Sequence, residues 1–429
     1  MSDIEKQALS PLLTMGRTFL VTAFALGAAA VATLVALYIY NTEGIPPTAL
    51  DPPGYWGVHL TNFVYFISLG LGISLVSAIL WVRKTNWAAF AVRLADISAV
   101  MAFVVAGFHL LFQMGSLHNV VDHIIYAQPD SLYLWDGVLV IFLFITTIIA
   151  MYMPLVPDMV RASLNVKEIK AFYRVLSFGY IGNPIQRIRV QRYSMIAAYT
   201  VIIVLVSMVT VIAWSFEAVT THPVWNNAIT GPLFIVEALV IGLAALIGML
   251  AILRKLGNYE KVMPTHVFVK LGKSLMVAIL IYLGLLIIET MTRTYEVGGT
   301  TIDAADPVWF GEFAPITWAI VFGGLVIPFL ILLQPKLQTH RPIILAAIMT
   351  TVVMWFKSYM VVVPGLTSHL QPIDGGIYVP SLTESVLMVG SFAFFAILMV
   401  SMSRFFPMVS IWEIEDQARS EEEMEVVPG

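Results

Sequence analysis

Ten long apolar runs, threaded so that nearly all positive charge falls on one side of them, constrain this chain more than any motif does. The runs cover about 17–41, 57–82, 92–115, 132–155, 194–216, 232–253, 267–292, 314–334, 342–363 and 385–406. Each is long enough to cross a hydrocarbon core of about 30 Å as a helix. Of the 23 Lys and Arg residues, all but Arg293 and Lys357 lie in alternate connections or at the termini. The positive-inside rule places those connections, and both ends of the chain, in the cytoplasm. A missed or invented span would break the alternation. The expected fold is therefore an all-α polytopic membrane protein with ten transmembrane helices.

Composition excludes other classes. A hydrophobic fraction of 59% with 12% charged residues does not fit a soluble domain of 429 residues. The first run is too long for a signal peptide and no small-residue cleavage site follows it, so it reads as a membrane helix. The absence of cysteine rules out disulfides, cysteine-ligated iron–sulfur clusters and the attachment of c-type haem. No phosphate loop, metal-ligand cluster or nucleic-acid motif is present.

Four segments organise the chain. Residues 1–56 hold the N-terminal tail, an extra span and an outer loop. Residues 57–220 and 221–364 each form a four-helix bundle, and 365–429 hold the last span and an acidic tail with Glu421, Glu422 and Glu423 in a row. The division rests on a weak internal repeat. Spans 2 and 6 carry close small residues, Gly70 and Gly72 in one and Gly242 and Gly248 in the other, and small residues let membrane helices approach closely. Spans 4 and 8 end in similar Pro-containing stretches, 153–157 and 326–335. The basic connection 156–193, with Phe172 and Tyr173, reads as an interfacial helix held to anionic lipid, or as a docking surface for a cytoplasmic partner.

Charge inside the membrane costs roughly 2.5–3.5 kcal/mol per group on insertion scales, so each instance asks for a reason. Asp96, Asp136, Glu237, Glu289 and Lys357 are the candidates, and all but Asp96 lie toward the outer face. Trp56, His59 and Asn62 recur every three residues and so share a helix face. His109 and Gln113 lie one turn apart at the end of span 3, and a short link carrying His118 then delivers Trp135 and Asp136. Three consecutive helices thus aim His, Asn, Gln and Asp at one outer-facing locality. Such a set suits a quinone, menaquinone or ubiquinone, which needs a hydrogen-bond partner at each ring oxygen and a group that exchanges protons. In this reading Asp136 handles the proton, assisted by His109, His118 or Gln113 at one oxygen. His59 and Asn62 bind the other oxygen, Trp56 and Tyr65 pack the ring, and Trp135 is a further cofactor-binding residue. Asp96, Glu237 and Glu289 form an acid series for a proton route. Three alternatives stand beside it: interfacial anchors with acids that merely join helices, a b-type haem on His59 and His109, and a secondary transporter. Spans 2 and 3 lack the second pair of histidines that a two-haem wire uses, and no span shows an obvious midplane interruption.

Several stretches resemble the NrfD/polysulfide-reductase membrane subunits, and most of all the version found in alternative complex III. Residues 56–72, beginning Trp56-Gly-Val-His59, are similar to the family's first core helix. Arg93-Leu-Ala-Asp96, Trp135-Asp136 and Leu155-Val-Pro-Asp158 follow in order. His222-Pro-Val-Trp225, Gly231-Pro-Leu-Phe234, Glu289 with Tyr295 and Tyr359-Met-Val-Val-Val-Pro364 continue the match over about 50–410. The resemblance implies a subunit of a respiratory or photosynthetic oxidoreductase in a prokaryotic inner membrane, without haem or iron–sulfur cluster of its own. It would exchange electrons between a quinone near the outer face and an iron–sulfur, ferredoxin-like subunit. Other membrane subunits, molybdopterin-type subunits or multihaem cytochromes c would complete the complex. By motif, Asp136 carries over as the quinone-site acid, Asn62 as a pocket-lining residue, and Asp96 and Glu289 as buried acids. One departure is the end of span 3, where Gln113-Met-Gly-Ser116 replaces the usual His or Asp followed by x-Gly-Arg. A paralogue that keeps the fold without an active site would show such a change.

Overall fold

The computed structural model describes residues 24, 26–35, 38, 56–83, 87, 89–113, 121, 122, 125–165, 170–218, 225, 227–257, 259, 263–295, 308–367 and 378–414. Among them there are helices and turns and no strand. In chain order the helices used below are α1 (Leu26–Val35), α2 (Val58–Arg83), α3 (Ala89–Gln113), α4 (Leu132–Asn165), α5 (Lys170–Leu176) and α6 (Pro184–Glu217). They continue with α7 (Thr230–Leu256), α8 (Thr265–Tyr295), α9 (Ala314–Leu333), α10 (His340–Thr367) and α11 (Leu382–Phe405). Nine helices among the described residues are long and apolar enough to cross a membrane. The first expected run is represented by α1, and most of its other residues lie outside the described set.

Helices are the form that apolar runs of this length take, because in hydrocarbon every backbone group must be bonded within its own segment. Local chemistry sets the ends. Asn183 accepts a bond from the Ile185 amide, with Pro184 at the first helical position, and starts α6. Ser381 and Glu384 form a reciprocal capping box that starts α11. Pro154 and Pro157 sit inside α4 without ending it.

Packing closes two rings of four. α2, α3, α4 and α6 each contact their neighbours around one ring, and α7, α8, α9 and α10 around a second. The rings meet where α2 crosses α7. A Cβ on Gly72 would stand 1.7 Å from the carbonyl oxygen of Ala238, and one on Gly242 would stand 2.3 Å from the Gly72 carbonyl carbon. Backbone thus touches backbone at the junction of the two rings. α11 packs on α2 and α3, and Gly390 of α11 leaves room for Thr33 of α1, whose Oγ1 would lie 1.9 Å from an added Cβ. The outward faces stay apolar, as Ile141, Phe142 and Ile145 on α4 show, which is what a lipid-facing surface requires.

Residues 319–326 of helix α9 are wound as a wide π-helix within a continuous span, a form frequently found at functional sites. Gly324 lies within it, and the Thr350 hydroxyl donates to the Gly324 carbonyl at 2.8 Å.

At the end predicted to be cytoplasmic, the chain after α11 folds back into an ion-paired clamp. Arg93 of α3 reaches Asp158 of α4 at 3.0 Å, with both side chains buried, and also donates to the Pro154 carbonyl and the Ser410 hydroxyl. Asp158 in turn accepts from the backbone amides of Ile411 and Trp412. The Trp412 indole donates to Pro154 at 2.8 Å, and the Tyr173 hydroxyl of α5 donates to the Phe405 carbonyl at 2.9 Å.

Candidate functional site

α2 supplies the frame at the end predicted to face outward. His59 lies in its first turn, Asn62 one turn on and Tyr65 another turn on, and all three are buried. Nδ1 of His59 stands 3.5 Å from Nδ1 of His109 on α3, so one imidazole can donate and the other accept. Phe66 stacks on His109 with ring centroids 6.2 Å apart. Nε2 of His109 is buried and has no hydrogen-bond partner among the described residues.

Asn62 faces another way. Its Oδ1 accepts from the Trp355 indole of α10 at 2.8 Å, and its amide donates to the Ser391 hydroxyl of α11 at 3.0 Å. Protein groups therefore occupy both ends of that side chain. Tyr65 donates to the Thr351 carbonyl and packs against Phe392. Trp56 stacks on Trp225 with centroids 5.7 Å apart, and the Trp225 indole donates to the Val361 carbonyl at 2.7 Å.

Asp136 projects from the first turns of α4 toward α6, where the Ser215 hydroxyl donates to its Oδ2 at 2.7 Å. Its Oδ1 is buried and lacks a partner among the described residues. Trp135 beside it is half exposed and donates to the Pro129 carbonyl. The Gln113 side chain and His118 lie outside the described residues. The structure thus pairs His59 with His109, ties Asn62 to α10 and α11, and sets Asp136 against α6.

The three acids expected to form a series have different surroundings. Asp96 is buried and accepts from the Ser77 hydroxyl, with Arg93 within electrostatic reach. Glu237 accepts from the Tyr282 hydroxyl at 2.8 Å and feels Lys357 and Glu289. Glu289 and Lys357 line a pocket with Trp225, Trp309, Thr290 and Thr317, beside the π-helical stretch. Among the described residues no group of His, Asp, Glu or Cys could hold a metal ion.

Sequence reasoning missed the contribution of α11. Glu384 is fully buried. Its Oε1 accepts from the Tyr378 hydroxyl at 2.7 Å and its Oε2 from the Ser381 amide at 2.9 Å. The Tyr378 oxygen also accepts from the Val58 amide at 3.1 Å, and the Tyr359 hydroxyl donates to the Tyr378 carbonyl. Burial and the adjacent carboxylate push the Tyr378 phenol up, which keeps it a donor. The one signal for Glu384 in the sequence is Ser381-x-x-Glu384 before an apolar run, which reads only as a helix start.

Two rings of apolar helices with polar groups gathered near one end of α2 define an all-α, multi-pass membrane protein. The chain belongs to the NrfD family, described as polysulphide reductase, NrfD, whose profile matches residues 46–369. It is similar to the Hdr-like menaquinol oxidoreductase integral membrane subunit of Archaeoglobus fulgidus, at 23% identity over 383 residues, 84% of this chain and 87% of that one. It is also similar to a selenate reductase subunit of Mesobacillus selenatarsenatis, at 23% identity over 225 residues. That second match covers 51% of this chain and about half, 53%, of the relative.

Proposed function

We propose that this chain is the quinone-reactive membrane subunit of a multi-subunit oxidoreductase, with the quinone head bound at the outer end of the first ring. The observation that carries the reading is that two buried polar atoms, His109 Nε2 and Asp136 Oδ1, have no hydrogen-bond partner among the described residues. Leaving such atoms unmade costs roughly 1–3 kcal/mol each, and a quinone or quinol head offers oxygens and hydroxyls to satisfy them. The relative named for menaquinol oxidation supports menaquinone as the class.

Within this reading the chain's own residues hold and move protons. The His59–His109 pair passes a proton across its Nδ1 contact and presents His109 Nε2 to one ring oxygen. Asp136, oriented by Ser215, presents Oδ1 to a second. Apolar walls from Phe66 and the neighbouring helices keep bulk water from the pair. Bound quinone supplies the two-electron chemistry, and the electrons pass to an iron–sulfur partner, with molybdopterin or multihaem subunits completing the assembly in a prokaryotic inner membrane. A second reading, a structural paralogue with a closed site, draws on Asn62, whose amide is committed at both ends.

Purification in mild detergent, followed by extraction of bound quinone and identification of co-purifying chains, tests the proposal. Asp136→Asn should leave the complex assembled while lowering quinol oxidation by about 100-fold or more, in line with the usual weight of a general base. Full activity in that variant removes Asp136 from the site. An intact complex without extractable quinone favours the paralogue.

A further inference from the structure

Glu384 has a place in the site that its capping role does not explain. A capping-box acid ordinarily sits half in water, whereas this one is fully buried. Ser381 uses Oε2, and Oε1 is turned the other way, to Tyr378. Tyr378 in turn closes on the Val58 amide, next in sequence to His59. The carboxylate therefore lies at the N-terminal ends of two helices, its own α11 and, through Tyr378, α2. Unpaired amides at such ends favour negative charge. The same carboxylate is close enough to His59 to act on it electrostatically, in a region where little water screens the interaction.

We propose that Glu384 is a positioning residue for the histidine pair: its buried charge balances the positive charge that His59 and His109 take on when they accept a proton. The proposal rests on the reading of that pair as the proton acceptor of the site. The titratable groups around His59 are His109 from α3, Glu384 and Tyr378 at the start of α11, and Tyr359 of α10 behind Tyr378. Lys357, also on α10, acts on Glu237. Ser391 of α11 meanwhile holds Asn62, so the last helix supports two successive turns of α2.

The test is an infrared titration of the histidine rings in the purified complex, isotope-labelled at histidine and stripped of quinone, run alongside the pH profile of quinol oxidation. Glu384→Gln keeps the shape and an acceptor but removes the charge. It should lower the protonation midpoint of the pair by about one unit or more, a tenfold change in proton affinity, and Glu384→Asp should restore part of the shift. Ser381→Ala, which removes only the cap, should leave the midpoint in place. An unmoved midpoint in Glu384→Gln, or an equal shift in Ser381→Ala, overturns the proposal. Should Glu384→Gln fail to assemble, Glu384→Asp carries the test: drawing the charge back by one methylene should lower the midpoint of the histidine pair, and a midpoint identical to the wild type overturns the proposal equally. A midpoint shift in a complex that never binds quinone sinks the quinone reading alone; quinone turnover without the shift sinks this one alone.

Discussion

Arg93 and Asp158 show what a single buried charge can organise. The pair stands 3.0 Å apart with almost no exposure, and its spare valences bind the Pro154 carbonyl, Ser410 and two backbone amides of the segment after α11. A buried pair of this kind adds little net stability against an apolar substitute, but removing one partner leaves the other desolvated and uncompensated. Arg93→Met should therefore cost about 3–5 kcal/mol, seen as a lower unfolding temperature in detergent and freer protease cleavage beyond Phe405. The double variant Arg93→Met, Asp158→Leu should recover much of that loss. Arg-x-x-Asp and Pro-Asp were both legible as motifs in the sequence. Their partners were not, because Ile411 and Trp412 are more than 250 residues from Asp158 and offer backbone donors that carry no sequence signal, and Ser410 offers Arg93 a lone hydroxyl acceptor from 317 residues away.

Among elements, the crossing of α2 with α7 is the least tolerant of change. Gly72 and Gly242 were visible in the sequence as small residues within apolar runs, and the structure sets them against each other. A Cβ added to Gly248, flagged with them, would meet nothing within 4 Å, so composition alone could not tell which glycine mattered. An added methyl in a packed core typically costs about 1–3 kcal/mol. Here the obstacle is a backbone oxygen 1.7 Å from the new carbon, which no rotamer change relieves. Gly72→Ala is expected at or above the top of that range, with aggregation on size-exclusion chromatography, while Gly248→Ala should be silent. The π-helical stretch in α9 was not legible at all, since Ala319–Val326 reads as an uninterrupted apolar run. Hydropathy reports burial in lipid, and it does not report hydrogen-bond spacing.

For the whole molecule, the all-helical, multi-pass fold follows from apolar length and was readable from the chain; nine of the ten expected spans stand among the described residues as helices long enough to cross a membrane. The candidate site was readable only in part. His59 and His109 meet, Asn62 bonds to α10 and α11, and Asp136 bonds to α6; those partners were hidden because which face a membrane helix offers inward depends on neighbours that lie far along the sequence. The orientation of the bundle in the bilayer rests on charge asymmetry, and it can be tested cleanly because the chain has no cysteine. A single cysteine at Arg187 should react with an impermeant maleimide only when the cytoplasmic face is open. One at Gln128 should react from the opposite side. Labelling of both positions from one side would reverse or break the assigned topology.

The clamp on Arg93 and Asp158 and the tie from Glu384 to the start of α2 both draw on the segment from Tyr378 to Trp412, which is synthesised after α2, α3 and α4. Until Leu382–Phe405 has entered the bilayer, α2 and α3 lack their last polar partners at both ends. Insertion of α11 thereby becomes the step that completes the polar contacts at the two ends of α2 and α3.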